Sequence, residues 1–148
     1  MENFHSNTDA RRSFTPASNN VKKPSVAKLK KEADKFYSIK LRTSSADSRG
    51  FVGCYTCGIR KHWKFMQCGH YESRSNNATR FDPKNTKIQC VGCNIFKSGH
   101  KTVFAINLAK EYGAGILKEL RKKAQGVKQF SIKELQEMIK EYKNGTNN

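Results

Sequence analysis

The chain has 148 residues, the usual length of one domain, so a second catalytic domain does not fit. Lys and Arg number 29 against 12 acidic residues, and the formal net charge of +17 indicates a polyanionic partner; nucleic acid is the natural candidate and a membrane surface the weaker one. No apolar stretch approaches the ~18 residues that span a bilayer, and the N-terminus lacks the apolar region of a signal peptide, so we expect a cytoplasmic protein without a membrane span.

The N-terminal segment is polar and basic. Residues 1–20 contain seven Ser or Asn and almost no aliphatic side chain. Such a composition cannot bury enough apolar surface to offset the conformational entropy lost on ordering. We therefore predict a disordered tail over residues 1–24.

A basic amphipathic helix and a linker are predicted over residues 25–50. Apolar side chains recur at helical spacing after Ser25, while lysines occupy mostly the remaining faces. The apolar positions are Val26, Leu29, Ala33, Phe36, Tyr37 and Leu41. The stretch from Thr43 to Gly50, rich in Ser and Asp, is typical of a turn. The charged face either contacts phosphates or is simply solvated, and the sequence leaves both open.

Two C-x-x-C pairs, Cys54-Tyr-Thr-Cys57 and Cys90-Val-Gly-Cys93, fall in residues 51–101. In a reducing compartment five cysteines favour a metal site over a disulfide framework, and their odd number favours the same interpretation. Four thiolates satisfy the tetrahedral preference of Zn²⁺, so these cysteines are predicted to hold a structural zinc ion. Unrelated buried thiols and a redox pair are the alternatives. Cys68, the fifth cysteine, is expected to be a small buried residue.

The 32 residues between Cys57 and Cys90 exceed the gap of a short zinc ribbon, so a folded unit must fill them. Strand-like runs occur at Lys64 to Tyr71 and at Thr86 to Cys90, with a polar stretch between them. We predict a compact ββ unit with an intervening loop.

Residues 102–148 are predicted to be helical. Val103 to Tyr112 and Ile116 to Lys123 have helical patterns that glycines separate. A last helix begins at Ser131, whose side chain is suited to cap it, and Glu134 completes a capping box. The apolar stripe of this helix indicates core or dimer contacts.

Further polar residues lie inside and just after the gap: Gln67-Cys-Gly-His70, then Asn85, and Asn94 directly after the last cysteine. Residues 54–94 thereby resemble the core of an HNH endonuclease, where a His on the first strand, an Asn before the second and a His or Asn after C-x-x-C form the site. Additional motifs make residues 25–125 similar to the NinG/Rap family of phage recombination proteins. These motifs are Cys-Tyr-Thr-Cys-Gly, His62-Trp63-Lys64, Cys68-Gly-His-Tyr71, Ser73-Arg74, Ala78-Thr-Arg-Phe-Asp-Pro83, Asn85, Cys90-x-x-Cys-Asn94, the Tyr37 to Arg42 helix and Glu111-Tyr-Gly113.

The resemblance implies an α+β fold with a zinc-stabilised ββα-metal core, HNH and treble-clef-like, at residues 51–101 and helices on both sides. It implies an endodeoxyribonuclease that uses Mg²⁺ or Mn²⁺ to cleave branched recombination intermediates such as Holliday junctions, in a bacterial host cell if the protein is phage-encoded. Symmetric cutting of a junction needs two active sites, so we expect a homodimer that associates through the helices outside the C-x-x-C pairs.

His70, Asn85 and Asn94 are the catalytic residues that the resemblance implies. A neutral imidazole is well suited to take a proton from water near pH 7, so His70 is the expected general base. Asn85 is expected to hydrogen-bond one ring nitrogen and fix the tautomer. Asn94 offers an amide oxygen to the catalytic divalent ion, with His70 as a second ligand, and the ion would stabilise the transition state.

These residues also have structural alternatives. A His in a zinc module is often a structural ligand, and Asn85 and Asn94 fit turn or helix-capping roles. His100 is expected to be a turn feature, with metal ligation or a phosphate contact as alternatives. His62 is expected to pack beside the tryptophan.

The pattern departs from many HNH sites, because Gly69 stands where an acidic metal ligand usually neighbours the catalytic His. Candidates for the missing ligand are Gln67, Glu72 and Asp82. The residues predicted to contact DNA phosphates are Arg74, Arg80 and Lys97.

Two other functions fit parts of the pattern. A non-catalytic zinc-containing nucleic-acid-binding protein explains the charge and the cysteines, but not His70 with Asn85 and Asn94. An HNH nicking endonuclease without junction selectivity explains all of these residues, because only the family likeness supplies the branched substrate.

Overall fold

The computed structural model describes residues 23–146, and within them the predicted α+β class is confirmed. The helices are α1 (Val26–Ser44), α2 (Lys101–Tyr112), α3 (Ile116–Ala124) and α4 (Ile132–Asn144). The strands are β1 (Phe51–Gly53), β2 (Arg60–His62), β3 (Met66–His70) and β4 (Thr86–Cys90), paired as two antiparallel hairpins. A 3-10 turn, Trp63–Phe65, precedes β3, and a π-helical turn, Gly92–Phe96, follows β4. The tail predicted over residues 1–24 lies outside the described residues, apart from its last two.

Helices α1 and α4 pack against each other and bury the apolar stripes that the sequence predicts. Ser25 caps α1 by accepting a hydrogen bond from the Lys28 backbone at 3.2 Å, and Ser131 caps α4 by accepting one from the Glu134 backbone at 3.1 Å. The Glu134 carboxylate pairs with Lys128 at 2.6 Å instead of returning to the cap residue. The shared core comprises Leu29, Ala33, Phe130, Leu135 and Ile139. The α4 stripe thus serves the core of this chain.

The hairpin of β1 and β2 carries the first C-x-x-C pair in its loop. Phe51 pairs with His62, and the loop between the strands spans residues 54–59. Gly58 has a φ of +74°, a left-handed conformation that glycine adopts readily, and its N–H donates to the Cys54 carbonyl at 2.9 Å. This hairpin could not be predicted from the sequence, because strands of three residues show too little alternation of polar and apolar side chains to be detected.

The hairpin of β3 and β4 runs in register from Met66 opposite Cys90 to His70 opposite Thr86. Strand β3 is shorter than the predicted run from residue 64 to 71, because the 3-10 turn takes up its start, whereas β4 has the predicted bounds. Helix α1 packs across both strands, and α2 follows the π-helical turn. The order along the chain is therefore strand, strand, helix, with α1 as a further support for the hairpin.

Helices α2 and α3 form a third packed unit. Their buried side chains, Phe104, Leu108, Ile116 and Leu120, contact each other, and Tyr55 and Tyr71 pack against them from the hairpins. In residues 23–146, no helix combines the length and the apolar character that crossing a membrane requires.

Candidate active site

The four cysteine sulfurs of the C-x-x-C pairs come together between the two hairpins. The sulfurs of Cys54, Cys57, Cys90 and Cys93 lie within 4.8 Å of one another, and those of Cys57 and Cys90 are 3.8 Å apart. Tetrahedral Zn²⁺ with Zn–S bonds of ~2.3 Å places its sulfurs roughly 3.8 Å apart, so this arrangement could hold a zinc ion. Among residues 23–146, it is the one group of three or more Cys, His, Asp or Glu side chains close enough to hold a metal.

Hydrogen bonds around Cys54 favour its thiolate form. Burial acts against the thiolate, but the Thr56 hydroxyl and backbone N–H groups, including that of Cys90 at 3.3 Å, lower the pKa of the Cys54 thiol to about 6. The thiolate is the form that binds zinc. His100 lies against the same cluster, with Nδ1 3.8 Å from the Cys93 sulfur and a φ of +48°. Its position therefore matches a turn residue beside the cysteines.

His70 and Asn94 share a small cavity next to this cluster. The cavity has a volume of about 290 Å³, and Arg74 and Lys101 also line it. His70, Asn94 and Arg74 in addition line a larger groove of about 950 Å³, so the two spaces adjoin. The structure thus brings two of the three predicted catalytic residues to one surface.

The imidazole of His70 is held in one tautomer. His70 is the last residue of β3, and its Nε2 is 2.9 Å from the Arg80 carbonyl oxygen. Since a carbonyl only accepts, Nε2 carries the proton and Nδ1 is the basic nitrogen. Burial lowers the pKa of His70 below its ordinary value, which keeps the ring neutral at neutral pH. The ring has the state that a general base requires.

The contact predicted between Asn85 and the His70 ring is not the one that forms. Asn85 is fully buried; its Oδ1 accepts from the Glu72 N–H at 2.7 Å, and its Nδ2 donates to the carbonyls of Glu72 and Thr79 at 3.1 and 3.0 Å. These hydrogen bonds engage both the oxygen and the nitrogen of the amide, and they hold the loop between β3 and β4. Asn85 therefore acts on His70 indirectly, because the loop it fixes carries the Arg80 carbonyl.

Arg80, which is predicted to contact phosphate, has its side chain engaged within the chain in the described structure. Its guanidinium forms a two-pronged ion pair with Asp34 of α1, at 2.8 and 2.5 Å, and donates to the Arg74 carbonyl at 2.7 Å. The Asp34 and Arg80 side chains are only 17% and 12% exposed. Asp34 is a residue that the sequence did not single out, because an acid on a lysine-rich helix gives no hint of its distant partner.

Asn94 presents its amide oxygen to the groove. Its Nδ2 donates to Gln67 Oε1 at 2.8 Å, and among the described residues its Oδ1 receives no hydrogen bond. Asn94 lies inside the π-helical turn, and α2 begins at Lys101 with His100 as cap residue, so a capping role for Asn94 at α2 is set aside. An oxygen without a partner, on a residue that lines the groove, is available to a ligand.

Packing leaves no room for a side chain at Gly69. A Cβ at position 69 would collide with Oε1 of Gln89, a fully buried side chain whose Nε2 bonds to the Gly99 carbonyl at 2.8 Å. Of the substitute ligands considered, Gln67 lines the groove, whereas Asp82 pairs with Lys123 at 2.5 Å and Glu72 lies 3.9 Å from Arg121. Gln67 is the remaining candidate of the three.

The cationic residues around the cavity differ in whether their side chains form hydrogen bonds or ion pairs. Arg74 and Lys97 are exposed, and within residues 23–146 neither side chain forms a hydrogen bond or an ion pair; only Arg74 lines the cavity. Lys101, which the sequence did not single out, bonds to the His70 carbonyl at 2.6 Å and to the Tyr71 carbonyl. Partial burial lowers the Lys101 pKa. Lys101 thus ties the start of α2 to the end of β3.

A family model described as Bacteriophage Lambda NinG protein matches residues 5–148. The chain belongs to the NinG family. Comparison with curated proteins and with solved structures gave no match. The NinG match includes both C-x-x-C pairs and every residue of the cavity, so the resemblance predicted from the motifs is confirmed and extends over both flanks.

Proposed function

We propose that the chain is a structure-selective endodeoxyribonuclease of the HNH, or ββα-metal, type that cleaves branched recombination intermediates. The observation that carries the proposal is the cavity that is lined both by a half-buried, neutral imidazole of fixed tautomer and by an amide whose oxygen has no partner among the described residues. A zinc-binding or DNA-binding module without catalysis has no need of this pairing.

The arrangement of elements supports the same assignment. The hairpin of β3 and β4 presents His70 at its end, and the π-helical turn with α2 presents Asn94 across from it. The cysteine cluster joins the two parts, because one C-x-x-C pair spans the end of β4 and the π-helical turn. Zinc held there would make the scaffold rigid without taking part in the reaction.

The residues of the cavity divide the chemistry between them. Nδ1 of His70 accepts a proton from the attacking water. Because Nε2 is engaged, Nδ1 is the one nitrogen left, so His70 serves either as base or as metal ligand, and we assign it the role of base. Asn94 Oδ1, with Gln67 beside it, would hold Mg²⁺ or Mn²⁺. A divalent ion bound there would neutralise charge on the phosphate and the leaving oxygen.

Charge supports DNA as the substrate. The net charge of +17 attracts a polyanion, and Arg74 lines the cavity, where its guanidinium would contact a phosphate. The branched substrate rests on the family likeness alone. A homodimer belongs to the proposal, because paired cuts on one junction need two sites; sedimentation with and without DNA tests it.

Cleavage of labelled DNA tests the proposal. Purified protein is incubated with a four-way junction and with a duplex of the same sequence, in Mg²⁺, Mn²⁺, Ca²⁺ or EDTA. We expect cleavage of the junction in Mg²⁺ or Mn²⁺, and a loss of ~10²–10⁴-fold in rate for His70→Ala. The matched control is His62→Gln, a half-buried imidazole that stacks on Trp63 instead of lining the cavity.

Other outcomes identify the competing functions. Equal cleavage of junction and duplex would make the protein an HNH nuclease without junction selectivity. Binding without cleavage in every metal would make it a non-catalytic zinc-containing nucleic-acid-binding protein, a function that the exposed Arg74 and Lys97 already suit. Cleavage that survives His70→Ala would reject the assigned base.

A further inference from the structure

Large apolar side chains are exposed beside the proposed active site. Phe65, at the end of the 3-10 turn, is 68% exposed, and Ile95 and Phe96 of the π-helical turn are 55% and 82% exposed. Phe65 and Ile95 line the same groove as His70 and Asn94. Phe96 is not among the lining residues and adjoins the groove through Ile95, its neighbour in the chain. We call Phe65, Ile95 and Phe96 the apolar rim. Apolar side chains grouped at the surface of a soluble protein commonly mark a binding site.

The charges around the apolar rim indicate what kind of partner it binds. No Asp or Glu occurs in residues 48–71 or in residues 83–110, the two segments that supply the rim. Lys61 and Lys64 line the groove with Phe65, and Lys97 follows Phe96 directly. A second copy docked rim to rim would set these lysines against one another, so self-association at this surface is disfavoured. A partner that combines negative charge with flat apolar faces is favoured, and nucleic acid has both in its phosphates and bases.

We propose that Phe65 and Phe96 stack on unpaired bases next to the phosphate that is cut, so that the apolar rim selects DNA whose bases have left the helical stack. In a continuous duplex each base already stacks on both sides, and the rings gain little without first separating a base step. At a branch point or beside unpaired bases the helical stack is interrupted, so a base face becomes available at a smaller cost. This inference rests on the proposed nuclease function and names the substrate feature that the rim recognises.

Equilibrium binding of the full chain in Ca²⁺, with His70→Ala as background, measures selection separately from cleavage. The probes are a continuous duplex, the same duplex with three unpaired bases, and a four-way junction. Phe65→Ala with Phe96→Ala should weaken binding of the two interrupted DNAs about tenfold and of the duplex less than twofold. Phe65→Trp should retain the selectivity, because the ring can still stack. The matched control is Val127→Ala, since Val127 is 95% exposed and lies outside the groove.

A spectroscopic measurement reports on the stacking itself. An adenine analogue whose fluorescence falls on stacking is placed at the unpaired position, and the wild-type protein should quench it more than the double variant does. Both replaced rings are largely exposed, so the zinc content and the melting temperature should not change; the single variant Phe96→Ala repeats the test with the more exposed ring.

Three results would overturn the inference. One is an equal loss of affinity for all three DNAs, and another is no loss at all. The third is a wild-type dimer that the double variant converts to a monomer, which would assign the apolar rim to self-association. If selective binding depends on the rings but no metal supports cleavage by the wild type, the rim inference stands and the nuclease proposal fails.

Discussion

The cysteine cluster and the cavity that contains His70 and Asn94 lie side by side but are held together in different ways. The cluster draws its four sulfurs from two short local motifs, each closed by its own turn. The cavity depends on contacts between distant parts of the chain: Asp34 of α1 holds Arg80, and the Arg80 carbonyl holds His70. We therefore expect the cluster to supply stability, while the orientation of His70 is set by a chain of contacts that reaches outside the two hairpins. Changes in the two regions should have different effects.

Removing one sulfur should have the largest effect, because it acts on both regions. Cys90→Ser takes away a ligand that belongs to β4 itself. A structural zinc site contributes roughly 10–16 kcal/mol, as much as the whole stability of a small domain. We expect loss of bound zinc and loss of the cooperative thermal transition, measured by metal analysis and circular dichroism. Cys68→Ser, outside the cluster, should retain full zinc content. A folded Cys90→Ser protein with no zinc would show that the hairpins need no metal.

Breaking the ion pair between α1 and the loop should affect the cavity without affecting the cysteine cluster. Asp34→Ala leaves the Arg80 guanidinium without its carboxylate at a site where both side chains are largely buried, and such a loss costs about 3–5 kcal/mol. It also loosens the Arg80 carbonyl and with it the His70 ring, so cleavage should fall while zinc content stays constant.

The matched control for Asp34→Ala is Glu32→Ala on the same helix. Glu32 pairs with Lys143 at 2.9 Å, but the two side chains are 38% and 46% exposed, and an exposed pair contributes at most about 1 kcal/mol. Urea unfolding and single-turnover cleavage measure the two effects. If Asp34→Ala and Glu32→Ala behave alike, α1 does not position the base.

The same contrast explains how much could be predicted from the sequence. The C-x-x-C spacing predicts the four cysteines of the cluster directly. Helical periodicity predicts the starts of α1 and α4 to within a residue or two. The partner of Asp34 could not be predicted, because residues 34 and 80 are joined by tertiary packing alone. The sequence predicts a bond from Asn85 to the imidazole because an amide can form one, but the amide nitrogen instead donates to the carbonyls of Glu72 and Thr79. Which carbonyls need a partner depends on the folded loop, so the sequence does not show this.

The pH dependence of cleavage should reveal the environment of His70. Burial lowers the pKa of His70, so the neutral, basic form persists to a pH below the ordinary value of about 6.5. The rate should therefore stay level as the pH falls to 6.5 and decline about tenfold per pH unit only below the lowered pKa. Stopped time courses between pH 5 and 8 measure this profile. An acidic limb centred above 6.5 would mean that another group, or a solvated His70, governs the reaction.

The smallest expected effect concerns Arg74, whose side chain is exposed at the cavity and unengaged among residues 23–146. If Arg74 contacts one phosphate, Arg74→Ala should weaken DNA binding severalfold and reduce the slope of log affinity against log salt by about 0.9 on duplex DNA. Lys97→Ala is the matched comparison, because Lys97 is equally unengaged but does not line the cavity. An unchanged salt slope for Arg74→Ala would place the DNA backbone elsewhere, whereas equal effects of the two variants would indicate a diffuse basic surface in place of a defined phosphate contact at the cavity.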